Sequence, residues 1–345
     1  MLFECDSHLR KLPNVARIAH RNWESFEAIG MTTGFQDALK TGDVRALRAI
    51  PKSDLHNHAF AGGHRALVSE WAGRDIAPLD RPLTSMAEMG AWVEDRLGSL
   101  FNGPNGRLRA FEAAFVQAKY DGVTRLEIGE DVWAITLFDH DASKLTRGLV
   151  AVHERVAPDI EWLPQLGVSR HCPINALTRW LAPFLELRTY RTIDLSGDEF
   201  AQPIEQFRPL YRMAKNSGLR LKAHVGEWGS ADDVWRAVEE LELDEVHHGV
   251  AAAGSPAVMR MLADNQIRLN ICPTSNVMLG RVDRLETHPI RKLYDAGVRV
   301  TVNTDDVLVF GNGVSEEFLS LYQAKVFNAD ELDAIRREGL SDAGE

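Results

Sequence analysis

The chain has 345 residues, is 45% hydrophobic and 26% charged, and sets 39 Lys and Arg against 50 Asp and Glu for a formal net charge of −11. That length suits one large α/β unit or two small ones, with apolar content enough to build a core. No basic run is present to neutralise nucleic-acid phosphates, and no stretch approaches the ~18–20 apolar residues of a membrane span. Cys5, Cys172 and Cys272 are too scattered for a disulfide framework, and the opening MLFECDSHLRKLPNVARIAH lacks the apolar core of a secretory signal. The expected compartment is the cytoplasm.

Residues 1–50 read as a polar, mostly helical N-terminal extension. Within it Ala38, Leu39, Val44, Leu47 and Ile50 give residues 37–50 an amphipathic pattern, which Pro51 ends. Eight short β-branched runs follow, at 53–58, 123–129, 160–168, 192–195, 219–224, 245–248, 267–272 and 298–303. Helix-length connections separate them, which implies parallel pairing through crossovers. Eight such units over 51–345 predict a closed (β/α)8 barrel of the TIM type. The gap at 59–122 is too long for one crossover and is read as a helical insertion above one mouth of the barrel.

Chemistry gathers at the ends of these runs. His56 and His58 are two apart on the first, so both face one side and can reach one ion. His224 ends the fifth, and the adjacent acids Asp305 and Asp306 follow the eighth. Three imidazoles and a carboxylate are a sound protein set for zinc, leaving a position for water whose pKa the metal lowers to roughly 7. In a parallel barrel all strand C-termini open on one face, so distant residues become neighbours. Glu227, three residues past His224, is placed for proton transfer, and His248, ending the sixth run, can orient a metal-activated water.

In their order and spacing, IPKSDLHNH (50–58), DRPL (80–83), LEIGED (126–131), RH (170–171), DLSGDE (194–199), HVGE (224–227), HHG (247–249), CPTSN (272–276) and NTDD (303–306) resemble the adenosine deaminase family of amidohydrolase barrels. The resemblance covers roughly residues 49–340. It implies one zinc ion per chain held by His56, His58, His224 and Asp305, with Glu227, His248 and Asp305 as the catalytic set. It implies further that Asp306 binds the purine's imidazole side, that the Gly197 backbone donates to the far pyrimidine nitrogen, and that His58 also lines the substrate site. The expected reaction replaces the exocyclic amine of a 6-aminopurine with oxygen and releases ammonia. Phe60 stands where the family has a carboxylate that binds the ribose 5′-hydroxyl, so the expected substrate is a 6-aminopurine or nucleoside with an altered 5′ side. Glu130 and Asp131 replace a more usual Ser-Pro turn; they either face a hydroxylated or cationic part of the substrate or cap the following helix. Two alternatives stay open, another amidohydrolase-type C–N hydrolase and a non-catalytic binding barrel. The expected partner is a small aminopurine, not nucleic acid or membrane; monomer and homodimer are both compatible with the sequence.

Overall fold

The computed structural model describes residues 34–341. Eight parallel strands follow one another in a single sheet: β1 (Lys52–His58), β2 (Val123–Asp131), β3 (Glu161–Ser169), β4 (Thr192–Ser196), β5 (Arg220–Val225), β6 (Glu245–His248), β7 (Arg268–Ile271) and β8 (Arg299–Val302). Each predicted run is a strand, with ends shifted by a residue or two; β2 runs on to Asp131. The sheet closes just past β8, where Asn57 and Asp305 form a parallel bridge. Asp305 donates its N–H to the His56 carbonyl at 2.9 Å, and His58 donates to the Asp305 carbonyl at 3.4 Å. The architecture is a (β/α)8 barrel.

Strand alternation here is inverted relative to a half-solvated sheet. On β5 the apolar Leu221, Ala223 and Val225 face outward into the core beneath the helices, while Lys222 and His224 face the barrel axis. The same parity sends Glu127, Glu245, Arg268, Asn270 and Thr301 inward. Lys222 Nζ donates to Glu127 Oε2 at 2.6 Å and lies 2.8 Å from Glu245 Oε2. Gln165 and Thr192 add hydrogen bonds to Glu127, each at 2.8 Å, and Arg268 and Asn270 both donate to Glu245. Burial alone would raise the Glu245 carboxyl, but Lys222, Arg268 and Arg220 hold it well below the usual range. This layer is a floor of satisfied charges across the barrel.

The described part of the N-terminal extension forms two helices, Phe35–Thr41 and Val44–Arg48, instead of one continuous amphipathic segment. Gly42 at φ 69° ends the first, and Asp43 accepts from the Ala46 N–H at 3.0 Å to start the second. Phe35 packs edge-on against Phe318, and Gln36 donates to Asp333 at 3.1 Å. The remainder of the predicted extension, residues 1–33, lies outside the described residues. The C-terminal helix Ala329–Leu340 seats against β1 and β8 at Gly339, where a Cβ would stand 2.0 Å from Ser53 Oγ.

The long first connection divides in two. Helix Gly103–Tyr120 buries Phe111, Ala114 and Phe115 in the main core and serves as the first crossover. Residues 59–102 fold above it with helices Arg65–Ala72 and Met86–Val93 around a second apolar cluster, which includes Leu67, Leu83 and Phe101. Leu308 and Phe310, from the loop after β8, belong to that cluster, and Phe60 and Trp228 pack against it. Backbone bonds from Leu79 to Val309 (2.8 Å) and from Leu83 to Met278 (2.6 Å) tie the insertion to the loops after β8 and β7. It therefore lies over the mouth where the strands end.

Candidate active site

His56 and His58 come from β1, His224 from β5, His248 from β6 and Asp305 from the turn after β8. His56 Nε2 is 2.9 Å from His224 Nε2 and 3.7 Å from Asp305 Oδ1. His58 Nε2 is 3.2 Å from both His224 Nε2 and Asp305 Oδ1. These separations bracket the about 3.3 Å edge of a tetrahedron of donors around zinc at ~2.0–2.1 Å. The opposite ring nitrogens are committed. His56 Nδ1 donates to the Asn270 carbonyl at 3.0 Å, and His224 Nδ1 bonds Asp194 Oδ1 at 3.1 Å. In the neutral rings both Nε2 atoms are then bare acceptors facing each other, an arrangement that suits a cation between them.

Charge points the same way. Burial depresses His56 to about 3, with His224 adding to the effect. Burial also works against a charged His58, yet Asp306 and Asp305 outweigh it and pull its imidazole up to about 10. Asp306 itself is pushed up to about 7, by burial first and then by the Asp305 charge. A cluster of acids this rich calls for positive charge in its midst. The donor set fits a divalent metal ion.

Two of these residues carry unusual backbone. His248 at φ 61° and Asp305 at φ 63° lie in the left-handed region, uncommon for residues with a side chain. Asp305 is fixed further by Ser275 Oγ, which donates to its Oδ2 at 2.6 Å, and His248 Nδ1 lies 3.1 Å from Asn276 Nδ2. His248 Nε2 in turn lies 3.8 Å from Asp305 Oδ2 and 3.4 Å from Glu227 Oε1.

Glu227 is among the buried side chains that carry an unpaired polar atom. Its Oε1 is buried without a partner, and burial, then the charges of Asp305 and Glu199, raise its carboxyl well above the usual range. A carboxyl raised in this way is suited to donate a proton. The loop that carries it is pinned by Glu199, whose carboxylate accepts from the N–H groups of Gly226 (2.8 Å), Glu227 (2.9 Å) and Trp228 (2.7 Å).

The sequence reading assigned no part to Asp194, Glu199, Ser275 or Asn276, although each lies in a quoted motif. Strand parity offers a signal for one of them. β4 pairs Asp194 with Lys222, which sets Asp194 on the same inward face as His224. Of the remaining expected residues, Asp306 is buried beside Asp305, and Gly197 leaves β4 at φ 96°, with His171 packed where a Cβ would go. Phe60, two residues past β1, packs edge-on with Phe101 under the insertion. His64 and Arg65 line a cavity of ≈ 670 Å³ with Arg48, Tyr120 and Glu316.

The family model for adenosine deaminase matches residues 169–343. A putative adenosine/adenine deaminase from Treponema pallidum is 33% identical over 292 residues, covering 84% of this chain and 98% of that protein. This chain belongs to the adenosine deaminase family. As a member of that family it is a hydrolase acting on C–N bonds. Among solved structures, adenine deaminase from Arthrobacter aurescens matches with a TM-score of 0.73 at 24% identity, over 85% of this chain and 95% of that one. An amidohydrolase from Burkholderia ambifaria with bound zinc matches at 0.72 and 22%, over 92% and 89%. At these identities the two structures establish the shared barrel of the family. No helix among the described residues is long and apolar enough to cross a membrane.

Proposed function

We propose that the chain is a zinc-dependent hydrolytic deaminase of a 6-aminopurine nucleoside or base, releasing ammonia and an inosine-like product. The observation that carries this reading is Glu227: a buried carboxyl, raised well above the usual carboxylate range, 3.4 Å from His248 Nε2 and beside the His56–His58–His224–Asp305 cluster. A neutral aminopurine is a poor electrophile until its ring nitrogen is protonated, and a carboxylic acid with a raised pKa is the group for that task.

His56, His58, His224 and Asp305 would hold one zinc ion, which when bound lowers the pKa of water to about 7 and so supplies the nucleophile. Glu227 gives its proton to the ring nitrogen next to the carbon under attack. His248, kept largely neutral by burial and by the neighbouring His56, is able to accept a proton from the attacking water. Asp306 faces the purine's imidazole side, and the Gly197 backbone binds the far pyrimidine nitrogen. Water adds its oxygen to the ring carbon, the C–N bond to the exocyclic nitrogen breaks, and ammonia leaves with the transferred proton. The insertion over the mouth, with Phe60 and Trp228 against its apolar cluster, excludes bulk water.

The test is Glu227→Gln in the zinc-loaded protein. Zinc content stays at one per chain while ammonia release from 6-aminopurines falls ~10²-fold or more, the scale of a positioned general acid. Undiminished turnover in that variant would overturn the assignment.

A further inference from the structure

Strand β2 runs two residues beyond the point where it pairs with the metal cluster. Gly129 is the register partner of His58, and Asp131 that of Gly167 on β3. Asp131 shares the parity of Glu127, whose side chain reaches Lys222 inside the barrel, so Asp131 also points inward. Two residues at ~3.3 Å each set it roughly 6.6 Å further out than His58's neighbour, toward the mouth. Gly167 leaves it room, since a Cβ there would stand 2.6 Å from Asp131 Oδ1.

Its structural duties are few. Asp131 occupies the N-cap position of the short 3₁₀ helix Val132–Phe138, yet its side chain makes no cap bond. Oδ2 accepts from Trp133 Nε1 at 2.9 Å, and that indole is the one hydrogen-bond partner of the side chain among the described residues. The neighbouring acid Glu130 faces the other way and is engaged by Arg107, whose Nε donates to it at 2.6 Å. Arg107 lies over the rings of Phe60 (5.1 Å) and Trp133 (5.4 Å). The cation next to Asp131 is thus already neutralised, the wall beside it is apolar, and Asp131 Oδ1 is an acceptor at the mouth.

We infer that Asp131 is a specificity-determining residue: its carboxylate accepts a hydrogen bond from a hydroxyl on the part of the substrate beyond the purine ring. The preferred substrate is then a nucleoside with a free sugar hydroxyl, over the bare base and over a phosphorylated nucleotide, whose charge the carboxylate repels. This inference rests on the aminopurine reading above and names the class within it.

The experiment compares zinc-loaded wild type with Asp131→Ala and Asp131→Asn. Equilibrium binding of inosine and of hypoxanthine is measured, together with ammonia release from adenosine, adenine and adenosine 5′-monophosphate. Wild type binds the nucleoside tightest, and in Asp131→Ala the inosine-to-hypoxanthine affinity ratio falls about 10- to 100-fold, the scale of one hydrogen bond to a charged acceptor. The loss on adenosine lies in KM and not in kcat, and Asp131→Asn, which retains an acceptor oxygen, recovers part of it. Equal weakening of both ligands would assign Asp131 a purely structural role through Trp133, and a preference of wild type for hypoxanthine or for the monophosphate would equally overturn the inference. Selective loss of inosine binding without ammonia release from any aminopurine would sink the deaminase reading and leave Asp131's role standing.

Discussion

Two polar layers cross the inside of this barrel, one above the other, and they differ in whether their groups are satisfied. In the lower, Lys222 sits between Glu127 and Glu245; Gln165 and Thr192 complete the first carboxylate, and Arg268 and Asn270 the second. In the upper, two imidazole nitrogens meet at 2.9 Å and a buried carboxyl oxygen of Glu227 has no partner. Both layers remove charge from water at a cost. The lower offsets that cost internally and is rigid; the upper is left incomplete in the way that metal binding and proton transfer require.

The largest effect is expected from breaking the upper layer at Asp305, the carboxylate proposed as a metal ligand. Asp305→Ala removes the metal and lowers ammonia release by about 10³-fold or more, the rate equivalent of several kcal/mol; metal analysis and turnover measured together check this. Breaking the lower layer has a different signature. Lys222→Met strands two buried acids and costs about 3–5 kcal/mol in urea unfolding, while the metal content of the folded fraction is retained; adding Glu127→Gln restores part of the loss. If Lys222→Met instead emptied the metal site without a stability change, the two layers would not be separable.

A finer test concerns the join between them. Asp194→Asn deprives His224 Nδ1 of its carboxylate and weakens metal affinity 10- to 100-fold in chelator competition, with the fold intact. A further effect, confined to a pH window, lies behind the site at Glu317, which accepts from the Thr274 N–H at 3.1 Å and which burial raises to about 7. Its folded pKa exceeds the unfolded value of 4.5, so the folded state binds more protons between those values. Its contribution is complete below pH 4.5 and is lost as pH rises through 7, by at most about 1.4 kcal/mol per pH unit. Glu317→Gln removes that slope from the wild-type stability profile between pH 5 and 7.5.

The upper layer was largely legible in the sequence, and the lower was not. The convergence of His56, His58, His224 and Asp305 could be anticipated because ligand chemistry restricts residue type and strand ends restrict position. Lys222 and Glu127 look like ordinary solvent-facing members of alternating strands, and only closure of the sheet turns their face inward. Glu199 was missed for a related reason: what it does depends on three N–H groups about 30 residues away in the chain. Gly42 shows the same limit locally, since the apolar periodicity of residues 37–50 passes through a residue that breaks the helix. Periodicity reports which groups want burial, but not which face the finished barrel will bury.

The bridge between Asn57 and Asp305 has a consequence for biosynthesis. Because the same aspartate both joins the last strand to the first and belongs to the proposed ligand set, the proposed centre cannot assemble on a ribosome-bound chain until residue 305 has left the exit tunnel. On that proposal every product that stops short of residue 305 lacks both the bridge and a ligand, so connectivity alone keeps a truncated chain from unguarded chemistry.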